Sequence, residues 1–243
     1  KLDKEQILLQ YEHISQQQVL VNAEAKFNKL DIQIQHEKIA YIMGAGDEVP
    51  FYLSQMGYEV TILKPEEISL ESLKPFQVVI VGVRAYNTVE ELAFKQEILF
   101  EFVKNGNTMI VQYNTTGKFT VKELAPYSLK ISRDRVTEED AEVHFLAPNH
   151  PVLNYPNKIS ANDFKGWVQE QGLYYPNEWD ATFTPILSSN DKGESPKNGG
   201  LLIAPYGKGT YIYTGLSFFR ELPAGVSGAY RLMANMISSS QKK

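Results

Sequence analysis

The chain has 243 residues, a formal net charge of −5 and an ordinary globular balance of 43% hydrophobic and 22% charged residues. With no long basic run, that charge argues against nucleic acid or an anionic membrane surface as partner, and no apolar run approaches the roughly 20 residues of a membrane-spanning helix. The absence of cysteine excludes disulfides, thiolate metal sites and cysteine nucleophiles together. Fourteen tyrosines, within 12% aromatics, suit a surface that meets sugars or other proteins.

Residues 1–37 are polar and glutamine-rich and read as a connector from an upstream domain, ending in an edge strand. In that strand Leu30, Ile32 and Ile34 alternate with Asp31, Gln33 and Gln35, as in a half-buried strand. The chain begins at Lys1 without methionine or a signal-peptide pattern, as a processed chain or a piece of a longer one would. Lys38–Gly44 is a strand, and Gly44-Ala45-Gly46 turns the chain. Asp47 then caps a helix to about Met56, with Pro50 in its first turn. Tyr58–Leu63 is the next strand, and a short acidic helix or loop lies around Glu66–Leu73.

Gln77–Gly82 is almost wholly apolar and β-branched, the signature of a strand buried on both faces of a parallel sheet. Arg84, Tyr86 and Asn87 follow it, and Thr88 with Glu91 predicts a capping box opening a helix over Val89–Asn105. That helix puts Phe94, Ile98, Leu99, Phe102 and Val103 on one side. Thr108–Gln112 is a further buried strand, ending in Tyr113-Asn114-Thr115. From 117 to 200 the rhythm breaks into an irregular, β-rich insertion with short strands at Glu142–Leu146 and Thr182–Leu187 and a short helix near Ala161–Trp167. Glu138-Glu139-Asp140 reads as a solvated helix start. Gly200–Ala204 and Gly209–Thr214 are paired strands, and a helix from about Gly228 to Ser238 closes the chain.

Polar residues between a buried strand's carboxyl end and the next helix lie where open α/β sheets bind ligands. Arg84, Tyr86 and Asn114 are therefore candidate ligand-binding residues, and Arg220, just past the last strand, faces the same crevice. His150 stands in a loop, where functional residues concentrate. Asp163 and Trp167 belong to an aromatic-rich stretch with Tyr174, Tyr175 and Trp179 that suits sugar rings, against the plainer reading of core packing. Gly44-Ala45-Gly46 lacks the third glycine of a dinucleotide fingerprint, and Asp47-Glu48 would oppose a pyrophosphate at the helix start. No Gly-x-Ser-x-Gly elbow and no His-Glu-x-x-His motif occurs. Neither a cofactor, nor a metal, nor a catalytic residue is assigned from these patterns.

Several strings resemble the class I glutamine amidotransferase-like superfamily, especially its ThuA-like branch: the alternating half-sheet, His150-Pro151, and Tyr206-Gly207-Lys208-Gly209-Thr210-Tyr211-Ile212-Tyr213-Thr214-Gly215-Leu216. More narrowly, YIMGAGDEVP (41–50), HPVLN (150–154), DFKGWVQEQGLYYP (163–176) and GLSFFRELPAGVSGAYRLMAN (215–235) resemble the C-terminal region of large Bacteroidetes PIG-L/LmbE-family deacetylases. The resemblance implies a flavodoxin-like, mostly parallel α/β sheet with helices on both faces over residues 38–243, interrupted by the insertion. Amidotransferases keep a cysteine nucleophile after the strand matching 108–112, where this chain has Tyr113 or Asn114. The deacetylases hold zinc with a His-Pro-Asp-Asp motif in an N-terminal domain, and His150-Pro151-Val152-Leu153 is not that motif.

The resemblance thus implies a non-catalytic accessory domain of a secreted or periplasmic deacetylase acting on N-acetylglucosamine-type sugars. Such a domain would bind carbohydrate or dock on companion domains of the longer chain. The alternatives are a ThuA-like sugar-modifying enzyme built on Arg84, Tyr86, Asn114 and His150, or a homo-oligomerisation module.

Overall fold

A computed structural model describes residues 3–24 and 29–240, and the chain divides into two compact units, Lys1–Leu30 and Asp31–Lys243. In the first unit, β1 (Lys4–Leu9) and β2 (Gln17–Asn22) form an antiparallel hairpin running from Lys4 opposite Asn22 to Leu9 opposite Gln17. Ile7-Leu8 and Val19-Leu20-Val21 supply its β-formers.

The second unit opens on an extended segment. Ile32 and Ile34 are half-buried and their neighbours exposed, so the predicted alternation is present, but no strand forms there. The backbone pairs with side chains instead of a neighbouring strand. Asn157 Oδ1 accepts from Gln33 N–H at 2.8 Å, Asn157 Nδ2 donates to Gln33 O at 2.9 Å, and Arg231 donates to Asp31 O at 2.6 Å.

The main elements then follow in order: β3 (Lys38–Ile42), α1 (Val49–Gln55), β4 (Glu59–Ile62), α2 (Leu70–Leu73), β5 (Val78–Val81), α3 (Ala85–Thr88), α4 (Gln96–Lys104) and β6 (Thr108–Val111). The insertion carries β7 (Leu129–Val136), β8 (His144–Phe145), β9 (Gly172–Trp179), β10 (Thr184–Pro185) and β11 (Leu187–Ser188). The chain closes with β12 (Leu201–Tyr206), β13 (Gly209–Thr214), α5 (Phe218–Glu221) and α6 (Ser227–Ile237).

Seven strands form one sheet in the order β10-β12-β13-β6-β5-β3-β4. The five from β13 to β4 are parallel, and β12 and β10 add an antiparallel edge. By order of appearance the parallel strands read 2-1-3-4-5, the flavodoxin-like doubly wound arrangement. All four residues of β5 and of β6 are buried, as strands covered on both faces must be. On one face Ala40, Ile42, Val79, Val81, Met109 and Val111 pack with Leu99, Phe102 and Val103 of α4. Ile39, Tyr41, Val78, Ile80 and Ile110 alternate to the opposite face, where α6 lies against β6.

Three local expectations are corrected. Thr88 does not cap a long helix: it ends α3, and its hydroxyl donates back to Arg84 O at 3.1 Å. Val89 is extended and a 3-10 turn over Glu90–Phe94 intervenes before α4, which swings Phe94 out to 84% exposure. No helix starts at Glu138-Glu139-Asp140, an exposed turn in which Glu139 accepts from Gln169 N–H. The insertion is also more regular than the sequence suggests. β7 and β9 form an eight-residue antiparallel ribbon whose register shifts break its two-residue periodicity.

Candidate binding crevice at the carboxyl ends of the central strands

In this sheet the strand order reverses between β3 and β5, and ligands of such folds enter outside the carboxyl ends at that point. Here the entrance is closed by the chain itself. Ala45 N–H donates to Val83 O at 2.8 Å, and a Cβ on Gly44 would overlap the Val83 carbonyl oxygen. The Asp47 carboxylate accepts from Tyr41 OH (2.7 Å), Val49 N–H (3.0 Å) and Val83 N–H (3.2 Å). One side chain thus takes the first N–H of α1 and clasps the loop after β5. Desolvation, then the Asp47 charge and hydrogen bond, push the Tyr41 phenol well above its usual range, so it stays a donor.

One strand over, the tip of β6 holds Tyr113 and Asn114. Asn114 is fully buried. Its Oδ1 accepts from Tyr86 N–H and its Nδ2 donates to Gln112 O, each at 3.0 Å, while its own N–H donates to Tyr213 OH at 3.2 Å. Asn114 is therefore a bracket joining β6 to the start of α3. Tyr86 turns its ring into the core beneath α4 rather than toward the crevice. Neither residue faces a ligand, contrary to the sequence expectation. The Asn114 amide is spent satisfying buried backbone, which cannot be left unpaired cheaply, while the Tyr86 hydroxyl is buried without a partner among the described residues.

Tyr113 instead forms the floor of an aromatic and cationic crevice. Its ring stacks on Tyr174 (centroids 6.2 Å apart, planes 7° apart) and meets Phe219 at 5.2 Å. The Arg220 guanidinium lies 4.9 Å from the Phe219 ring centre and pairs with Glu170 at 3.0 Å. Arg135 stands 5.8 Å over the Tyr174 ring. Arg84 N–H donates to Tyr113 O at 2.9 Å. Burial raises the Tyr113 phenol pKa, and the Arg84 and Arg220 charges oppose the rise. Two of the residues at this ring, Arg84 (φ 57°) and Tyr174 (φ 52°), sit in the left-handed region. Such strain costs about 1–3 kcal/mol per residue and concentrates at functional sites.

Glu170, Tyr174 and Arg135 arrive through the insertion. Gly172 bridges Leu216, and Leu173 N–H donates to Gly215 O at 2.9 Å, which lays β9 across the end of β13. In the sequence Tyr174 is legible only as one aromatic among several. Glu170 and Arg135 carry no signal there beyond charge, because their placement depends on the pairing of β7 with β9.

The remaining candidates lie elsewhere. His150 caps a 3-10 turn, its Nδ1 accepting from Val152 N–H at 3.2 Å, and burial lowers its pKa. It lines a 160 Å³ hollow with Ile203 and Thr210, at the amino end of β13 and so at the opposite end of the sheet from Arg84. The four residues of the sugar-modifying alternative therefore do not share a pocket. Asp163 accepts from Ser160 N–H and pairs with Arg231 at 2.9 Å, tying the insertion to α6. Trp167 is 2% exposed, stacked on Phe164 at 5.6 Å with Nε1 donating to Asp163 O. Its expectation as a sugar platform is corrected: core packing uses both ring and N–H. Among the described residues no three His, Cys, Asp or Glu side chains cluster to hold a metal ion, and no helix is long and apolar enough to cross a membrane.

The same α/β fold occurs in solved structures of low sequence identity, including domains of the glutamine amidotransferase-like kind. PurLQS from Thermotoga maritima is similar at a TM-score of 0.52 and 11% identity, over 86% of this chain and 100% of that one. A protein described as a GMP synthase subunit, from Thermoplasma acidophilum, is similar at 0.50 and 10%, over 85% of this chain and 97% of that one. A cytoplasmic protein from Salmonella typhimurium LT2 is similar at 0.52 and 10%, over 98% and 94%. No protein-family model and no curated protein sequence matches the chain.

Proposed function

We propose that this chain is a non-catalytic accessory domain of a larger, secreted or periplasmic carbohydrate-active protein of the PIG-L/LmbE deacetylase type that its sequence resembles. It serves by binding glycan or by docking on companion domains. The observation that carries this reading is the tip of β6. Where an amidotransferase keeps its cysteine, this chain has Tyr113 wedged between Tyr174 and Phe219, beside an Asn114 fully engaged in backbone bonds. An activated nucleophile needs a base within hydrogen-bond reach, and His150, the histidine of the resembling string, lies at the far end of the sheet.

The direct test is to incubate purified chain with glutamine and, separately, with N-acetylglucosamine oligomers. Neither free ammonia nor acetate is expected above the no-protein blank. Release of either by this chain alone refutes the non-catalytic reading. The proposed parent is checked by the full reading frame, which should encode an upstream His-Pro-Asp-Asp motif.

A further inference from the structure

Three arginines, Arg84, Arg135 and Arg220, stand about two stacked tyrosines at the β6 tip, and among the described residues Glu170 is the one carboxylate within ion-pair distance of any of them, with buried Glu221 acting on Arg220 from farther off. Arg220 is paired with Glu170 at 3.0 Å, whereas Arg84 and Arg135 have no carboxylate partner among the described residues. The Nε atoms of Arg84 and Arg220 are buried without an acceptor, so neither guanidinium has its full set of protein partners. An unpaired buried donor is costly, and its persistence in a folded protein calls for an explanation such as a ligand. The arrangement is also geometrically ordered. Arg220, Phe219, Tyr113, Tyr174 and Arg135 run in contact at 4.9, 5.2, 6.2 and 5.8 Å, with Arg84 joined to Tyr113 through the backbone.

Each part of that row has a chemical counterpart. Guanidinium forks match the planar carboxylate and pair with it in two parallel hydrogen bonds. A half-buried tyrosine ring such as Tyr174 offers an apolar face and little rotamer freedom to lose. A neutral sugar would use the ring and leave the arginines idle, whereas a free inorganic anion would use the arginines and leave the ring idle. A sugar carrying a carboxylate uses both.

We infer that the crevice floored by Tyr113 is a binding site for an acidic saccharide of the uronic acid class, its carboxylate held by Arg84 and Arg135 and its ring laid on Tyr174. The inference rests on, and narrows, the glycan-binding half of the proposed function. Glu170 has the positioning part: by holding Arg220 it fixes one edge of the site. Both Arg84 and Tyr174 hold left-handed backbone, as residues at functional sites often do.

The test uses the full chain, isothermal titration calorimetry and saturation-transfer NMR, with galacturonic acid oligomers as probe and neutral galactose oligomers of the same length as comparison. Four proteins are compared: wild type, Arg84→Asn, Arg135→Ala and His150→Ala. Asparagine is chosen at 84 because it tolerates the left-handed conformation better than alanine. The acidic oligomer is expected to bind, more weakly as salt rises, and the neutral one to bind at least about tenfold more weakly, since a charge-assisted pair is worth at least that factor. Each arginine variant should lose about tenfold or more at an unchanged melting temperature, and His150→Ala should bind as wild type does. If Arg84→Asn does not fold, Arg135→Ala, at an exposed position, decides alone. Equal binding of acidic and neutral oligomers, indifferent to both arginines, overturns the acidic site and leaves glycan binding standing. Binding of neither overturns both and leaves docking.

Discussion

Replacing Asn114 separates a structural from a reactive role at the tip of β6. The side chain is fully buried and serves two backbone groups, accepting from Tyr86 N–H and donating to Gln112 O at 3.0 Å each. Asn114→Ala strands both groups in the interior. Each orphaned group costs about 1–3 kcal/mol, so with the small cavity the loss comes to about 3–5 kcal/mol against a typical stability of about 5–15 kcal/mol. For a domain of this size, where 1 kcal/mol moves the melting point by about 2–4 °C, the midpoint should fall by roughly 10 °C. Urea denaturation followed by circular dichroism should show a lower midpoint at an unchanged slope. Asn114→Asp keeps the acceptor but turns a carboxylate oxygen on the Gln112 carbonyl, so it should be weaker at pH 8 than at pH 5. If Asn114→Ala unfolds within about 0.5 kcal/mol of wild type, a shift typical of unimportant surface positions, the bracket reading is wrong.

Other outcomes follow from the same geometry. Glu221 is fully buried, and that burial, opposed by hydrogen bonds from Val168 N–H and Ser217 and raised further by Glu139, pushes its pKa up to about 7. Its folded pKa lies above the unfolded value, so the native state holds the extra proton. Stability should therefore fall as pH rises from the usual glutamate range to about 7 and level off above, by at most about 3 kcal/mol at 1.36 kcal/mol per unit. Glu221→Gln should flatten that slope in denaturation series at pH 5 and pH 8. Trp167→Ala should cost about 3–5 kcal/mol, as large buried aromatics do, and sugar titrations should leave the Trp167 fluorescence unmoved. Gly228→Ala at the start of α6 would drive a Cβ into the Asp163 backbone. It should destabilise by about 1–3 kcal/mol or more, and a wild-type melting curve would refute the close approach.

The central sheet is legible in the sequence because burial on both faces leaves an unmistakable apolar run, as at Gln77–Gly82 and Thr108–Gln112. Asp47 is legible for the same local reason: a short acid ahead of Val49-Pro50 belongs at a helix start. Residues whose role depends on distant pairing were not legible. Glu170, Tyr174 and Arg135 reach Tyr113 because β7 and β9, separated by the stretch from 137 to 171, close into a bulged ribbon whose side chains follow no simple alternation. Trp167 and Asp163 read as a sugar platform because aromatics beside an acid look alike in a binding face and in a core. The difference is the Arg231 guanidinium from α6 and the Phe164 ring, which claim them first. Phe94 misled through periodicity: its phase fits α4, but the chain leaves the helical path at Val89.

The anchorage of Asp47 has an evolutionary corollary. Because one carboxylate serves a helix start, a phenol and a neighbouring loop, a drift toward nucleotide binding would have to surrender three interactions before gaining its first phosphate contact. One strand sideways no such clasp stands in the way, and there the β7–β9 ribbon lays its side chains across the end of β13.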